Sequence, residues 1–210
     1  MKLLVVSGGN HPYVESTPVL MELLQGAGHE VTLTEDAGLL AADSLSDCDV
    51  LVFNTLRRQE TALSEAERAG MTRFIGGGKG FVCIHISGCA PEDWPEYHDV
   101  TGGGWIMGTS THPPYGQFTV NVTGRDHPGA ADITDFVTND ELYTKLGWRD
   151  GNDVFMTADL DGEPRPISWT RKYGNGRVFA TTLGHDGLSF RTPQFQRLVL
   201  NGVDWAAGKR

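Results

Sequence analysis

The chain opens on KLLVVSGG, an unbroken apolar run closed by glycines. A run of that form, with no apolar/polar alternation, predicts a strand buried on both faces, as in a parallel sheet covered by helices. The period then changes. Val19, Leu20, Leu23, Leu24 and Ala27 recur at helical spacing, with Thr17-Pro18 as N-cap and first-turn proline and Gly28 as the stop. EVTLT and DVLVFN read as the next two strands. Ser64 and Glu67 have the spacing of a capping box ahead of a helix carrying Met71, Phe74 and Ile75, and GGGKG ends that helix before the strand FVCIHI. Residues Glu92 to Gly116 are rich in Gly, Pro, Trp and His and follow no period, so they are expected to loop over one edge of the sheet. Further strands are expected at FTVNV, DVFMTA, PISWTR and RVFATTL. A last helix from about Gln194 would bury Phe195, Leu198, Val199, Gly202 and Trp205. With no internal repeat and no linker, one α/β domain over residues 1–210 is the economical reading.

Polar residues gather where these strands end. The first strand runs into Asn10, His11 and Tyr13, the third into Asn54, Arg57 and Arg58, FVCIHI into His85, and RVFATTL into His185 and Asp186. In open parallel sheets the carboxyl ends of the strands gather their loops around one crevice, which is where ligands bind. Each residue alone has a plain structural explanation, a hydrogen-bonded core histidine or a solvated arginine; their convergence on one edge points to a site. Arginine suits bidentate recognition of substrate oxygens. His29, His98 and His127 read as structural or solvated.

Composition narrows the function. At 210 residues the chain is long enough to bury roughly 70% of its unfolded surface without disulfide or metal. A formal charge of -10 and the lack of a basic stripe exclude a phosphate-tracking nucleic-acid groove. The opening MKLLVVSGG has five apolar residues, too few for a signal-peptide core or a membrane span, which leads to the expectation of a cytoplasmic protein with no membrane partner. The three cysteines, Cys48, Cys83 and Cys89, form neither a disulfide framework nor a paired metal-ligand motif. GGGKG lacks the Ser or Thr that a phosphate loop places after its lysine, so nucleotide binding is disfavoured.

Longer stretches carry a resemblance: SGGNHPYVEST, GGGKGFVCIHISG, TGGGWIMGTSTHPPYG, DHPG, TNDELY, WTRKYGNGRVFATTLGHD and NGVDWAAG. Together they resemble the ThuA-like family of trehalose-utilisation proteins, which is similar in fold to the class I glutamine amidotransferases. The resemblance implies a three-layer, doubly wound, mostly parallel α/β sheet of flavodoxin-like form. In the amidotransferases a cysteine occupies the elbow after a central strand and is activated by a histidine after a later strand. Here the resemblance puts His85 on the elbow and His185 in the partner position. Cys83 lies within the strand, where a small buried hydrophobe is the expected reading, and Cys89 has no evident base. Glutamine hydrolysis through a thioester is therefore not expected.

What the resemblance implies instead is carbohydrate catabolism, on trehalose, a related disaccharide or a keto-sugar derivative, with a small-molecule sugar as the partner. His85, His112 and His185, with Glu141, are the expected catalytic group. The three histidines are also the candidate ligands of a divalent metal such as Zn, or they exchange protons with substrate directly. Glu141 would act as base or orient an imidazole; the plain alternative is a helix-start glutamate beside Asp140. Asn10, His11, Tyr13, Arg57, Trp105 and Asp186 are expected to line the pocket, Trp105 as a flat face for a pyranose ring. Two further readings stay open: a non-catalytic sugar-binding or regulatory protein that retains the pocket, and a divergent amidotransferase using Cys83 or Cys89. A homo-oligomer is compatible with all three.

Overall fold

The computed structural model describes residues 1–11, 13–85, 88–89 and 93–209, with the side chain of Cys89 outside the description. The apolar runs form the parallel half of a mixed sheet: β1 (Lys2–Gly9), β2 (Glu30–Thr34), β3 (Val50–Arg57), β4 (Gly80–Ile84) and β10 (Gly176–Thr181). Between β4 and β10 the chain makes β5 (Gly88–Cys89) and a wing of four strands, β6 (Gly116–Val122), β7 (Phe136–Asp140), β8 (Asp153–Leu160) and β9 (Glu163–Tyr173). The sheet order is β2-β1-β3-β4-β10-β9-β8-β6-β7, with β5 beside β3. Pairing is parallel from β2 to β10 and antiparallel from β10 to β7.

Alternate residues of the buried strands serve two cores. Leu3, Val5, Val82 and Ile84 pack with Leu20 and Leu24 of α1 (Ser16–Gly26) and with Phe195, Leu198 and Val199 of α5 (Pro193–Ala206). Leu4, Val6, Phe81 and Cys83 pack on the other face with Met71, Phe74 and Ile75 of α2 (Glu65–Gly76). Full burial on both faces is why these segments read as continuous apolar runs. The capping box of α2 is present, with Ser64 N–H donating to Glu67 Oε2 at 2.7 Å.

Four local expectations are corrected. The first helix begins at Ser16, with Glu15 as N-cap and no side-chain cap. Thr17 instead lies inside it, its hydroxyl 2.6 Å from Ser7 Oγ and accepting from Asn54 Nδ2 at 3.2 Å, which ties α1 to β1 and β3. The segment expected to loop over a sheet edge contains α3 (Tyr97–Thr101), whose Tyr97 and Val100 join the α2 core and whose Thr101 carbonyl accepts from Trp169 Nε1 at 2.7 Å; its first residue, Glu92, lies outside the described residues. FVCIHI is a strand as far as Ile84, and Ile86 is likewise outside the description. Finally, β7 has no counterpart in the sequence reading. Glu141 therefore follows a strand and does not start a helix.

Candidate active site

The site begins with a backbone reversal. Directly after β4, His85 adopts a left-handed conformation, φ 55°, which costs a non-glycine L-residue roughly 1 kcal/mol or more. The turn ends the strand and leaves the imidazole buried at the carboxyl edge. Its Nδ1 lies 3.0 Å from the carbonyl oxygen of Thr182, just past the neighbouring strand β10. Its Nε2 lies 2.9 Å from Tyr143 Oη and 3.3 Å from His185 Nδ1. Burial, reinforced by the other two histidines, pushes the His85 pKa down to about 3, so the ring is neutral.

Two other loops complete the cluster. His11, after β1, and His185, after β10, have ring centroids 5.0 Å apart, and these lie 5.3 and 5.1 Å from that of His85. One ring nitrogen from each falls within 4.8 Å of the others. The Nδ1 of His11 is buried and has no hydrogen-bond partner. Burial and the neighbouring His185 lower the His11 pKa, against an opposing effect of Glu141.

Glu141 faces the cluster from the end of β7. Its Oε2 accepts from Tyr143 Oη at 2.7 Å and stands 3.3 Å from His185 Nδ1 and 3.8 Å from His85 Nε2; its Oε1 is 3.5 Å from His112 Nε2. Burial alone would raise its pKa, but hydrogen bonds from His185 and Tyr143 and the surrounding imidazoles hold it at about 2. The same hydrogen bond raises the His185 pKa against the effect of burial. The preceding Asp140 is buried and accepts from Gly184 N–H at 2.7 Å, from Glu141 N–H at 2.8 Å and from the Ser189 hydroxyl. Burial raises its pKa to about 6, the three hydrogen bonds opposing. Asp140 thus fastens the end of β7 to the loop carrying His185 and to α4 (Gly187–Phe190).

His11, Tyr13, His85, Trp105, His112 and Glu141 line one cavity of about 170 Å³. Tyr143, which the sequence reading did not place there, lines it too, as does Arg58, which that reading set at this edge of the sheet but left out of the lining residues. Arg57 does not: its Nη2 donates to the carbonyl oxygens of Ser7 at 2.6 Å and Glu35 at 2.7 Å, a structural role inside the sheet. The strand continues through Arg57, and it is Arg58, the first residue outside it, that reaches the cavity with a buried Nε lacking a hydrogen-bond partner. Asn10 accepts from Arg58 N–H at 3.2 Å and from the Thr61 hydroxyl, closing a loop and not lining the cavity. Asp186, expected to line the cavity, instead caps α4 through Ser189 N–H at 2.8 Å and is hydrogen-bonded by Tyr115; His185 too stands beside the lining residues and not among them. His112, expected among the metal candidates, stands beside Glu141 and Trp105, with ring centroids 5.8 Å apart in the latter case; His11 takes the third place among the converging nitrogens.

The other histidines are built into the structure. His98 is buried, and a Cβ at Gly104 or Gly147 would collide with its ring. His127 stacks on Phe155 with centroids 4.2 Å apart and accepts from Gly129 N–H at 2.9 Å. His29 is half-buried at the start of β2. Cys83 lies in the α2 core with its Sγ 3.7 Å from Tyr97 Oη, and burial pushes its thiol up to about 12.

The imidazoles of His11 and His85, with lowered pKa values, the His185 imidazole hydrogen-bonded to Glu141 and the ionised carboxylate can pass a proton, or hold a cation once His185 Nδ1 releases its hydrogen. No helix among the described residues is long and apolar enough to cross a membrane.

Residues 2–206 match the ThuA family, described as trehalose utilisation. A ThuA-like protein from Parabacteroides merdae superposes with a TM-score of 0.85 at 23% identity, covering 100% of this chain and 90% of its own. One from Bacteroides uniformis gives 0.77 at 19% identity, with 98% and 91% covered. The fold likeness extends to a GMP synthase subunit from Thermoplasma acidophilum, TM-score 0.60 at 13% identity, covering 100% of this chain and 94% of that one. None of the curated proteins matches the chain. The match over nearly the whole length establishes that this chain belongs to the ThuA family, on a glutamine-amidotransferase-like fold in which a histidine of left-handed conformation directly follows β4.

Proposed function

We propose that the chain is a sugar-directed enzyme of carbohydrate catabolism, acting on trehalose, a related disaccharide or a keto-sugar derivative, by proton transfer next to a sugar carbonyl or by hydrolysis. The observation that carries this is the convergence of His11, His85 and His185 with Glu141, three of which, His11, His85 and Glu141, line an aromatic-walled cavity. Trp105 and Tyr143, with ring centroids 4.8 Å apart, offer flat apolar faces to a pyranose. Arg58, with its unpartnered Nε, is available to a substrate oxygen. Glu141, ionised, hydrogen-bonded to Tyr143 and held too acidic for an efficient base, is the group that orients His185, whose raised pKa suits it to carry the proton.

The same histidines suit a divalent ion such as Zn. Zn–N distances of about 2.0–2.1 Å place two nitrogens of a tetrahedral site roughly 3.3 Å apart, the separation of His85 Nε2 and His185 Nδ1. His11, one ring nitrogen of which lies within 4.8 Å of those of the other two, would complete the set, and the Thr182 carbonyl orients His85 from behind. Such an ion would supply Lewis-acid polarisation of a sugar oxygen.

A screen of unoxidised and oxidised disaccharides followed by NMR tests the reading. Turnover of at least one sugar, lost in Glu141→Gln, is expected. Tight binding with no turnover of any sugar would contradict the catalytic assignment.

A further inference from the structure

Beyond His112 the surface opens into a second depression. It shares that imidazole with the histidine cavity and is walled by Thr111, Thr144, Lys145, Asp161 and Arg165. Two parts of the chain build it. Thr111 and Thr144 form an isolated antiparallel bridge, with N–H···O distances of 2.8 and 3.3 Å and hydroxyls 2.9 Å apart. The hairpin joining β8 to β9 brings Asp161 and Arg165, turning at Asp161-Gly162 with φ of 54° and 79°, the Asp-Gly chemistry of a tight β-turn.

Three features suggest that the depression receives a ligand. Arg165, part of this wall, has a buried Nε without a hydrogen-bond partner. Lys145 is held in a left-handed conformation, φ 53°, while its carbonyl accepts from Ser110 Oγ at 2.9 Å; backbone strain of this kind in a non-glycine residue collects at ligand sites. His112 forms part of the wall of both cavities, and its Nε2 faces Glu141 in the first of them.

The chemistry of the wall selects the ligand. One carboxylate, two cations and two hydroxyls offer acceptors and donors side by side, which matches the paired hydroxyls of a sugar. A site for a phosphate or carboxylate would not include Asp161. We propose that this depression is a second-sugar subsite that binds the non-reacting ring of a disaccharide while the reacting ring occupies the histidine cavity. The proposal rests on the sugar-directed reading above and deepens it: the substrate class is a glycoside with a second polar ring, not a free monosaccharide.

Protein carrying ¹³C labels in its histidine rings and threonine methyls separates the two sites. Trehalose is expected to shift the His85 and His112 signals together with the Thr111 and Thr144 methyls, and glucose the histidine signals alone. Arg165→Ala, or Asp161→Asn on the exposed turn should the first variant not fold, is expected to weaken trehalose about tenfold and leave glucose unchanged. Trehalose shifts confined to the histidines, or equal weakening of both sugars, would overturn the subsite and leave the histidine site standing. No shift with either sugar would overturn both.

Discussion

His85 Nδ1 donates to the carbonyl oxygen of Thr182 at 3.0 Å, and that bond sets the orientation of the site. A carbonyl oxygen only accepts, so the hydrogen of the neutral ring is on Nδ1 and the lone pair is on Nε2. Nε2 faces Tyr143, His185 and Glu141. His85, directly after β4, thus presents an electron pair to the cavity.

The two functions of the His85 ring can be separated by mutation. His85→Asn keeps an N–H close to the Nδ1 position and tolerates the left-handed backbone, so its stability should stay within about 1 kcal/mol of wild type. His85→Ala removes the donor to Thr182 and should cost about 1–3 kcal/mol. Both should lose activity alike. Urea denaturation with a parallel activity assay checks this; equal destabilisation by the two variants would deny the Thr182 bond its structural role.

Metal analysis addresses the ligand set. Protein equilibrated with Zn and then dialysed should retain about one ion per chain, lose it in His11→Ala and in His185→Ala, and keep it in His112→Ala. Retention in His11→Ala with loss in His112→Ala would restore the set His85, His112 and His185 expected from the sequence.

How far the sequence reveals this site follows from burial and periodicity. KLLVV, VLVFN and FVCI are legible because strands covered on both faces are continuously apolar, and the elbow is legible because a histidine interrupts one of them. FVTND is not: β7 is a short edge strand that alternates buried and exposed residues, with Val137 exposed, and its polar end resembles a turn. Recognising it would have placed Glu141 and Tyr143 at alternate positions beyond a strand end, either side of the core residue Leu142, and so drawn Tyr143 into the site. The exchange of Arg57 for Arg58 has a similar origin, since the last residue of β3 is set by pairing with β1 and β5 and not by any local signal.

Cys83 should be inert in the native protein. Its thiol is buried and pushed up to about 12, and the thiolate is the reactive form. Peptide mapping after iodoacetamide treatment at about pH 8 should find Cys83 unlabelled in folded protein and labelled in urea. Rapid native labelling would place it in an accessible site.

His98 should make the fold sensitive to acid. Burial, with Arg149 adding to it and Asp99 opposing it, lowers its pKa from 6.5 to about 4. A depressed folded-state pKa means that the unfolded chain binds the proton more readily, so this contribution is full above pH 6.5 and is lost as the pH falls to about 4. The difference between wild type and His98→Gln isolates it from Asp140, whose raised pKa acts in the opposite sense. Denaturation at pH 7.5 and 4.5 should show wild type losing up to about 3 kcal/mol more than the variant. Parallel losses would mean that His98 is solvated.

The most direct measurement compares turnover of the sugar found in the NMR screen by wild type, His85→Asn, Cys83→Ala and Cys89→Ala. A reactive centre built on the elbow histidine predicts a loss of about 100-fold or more in His85→Asn, with both cysteine variants close to wild type. Unchanged turnover in His85→Asn, or loss that follows either cysteine, would contradict it.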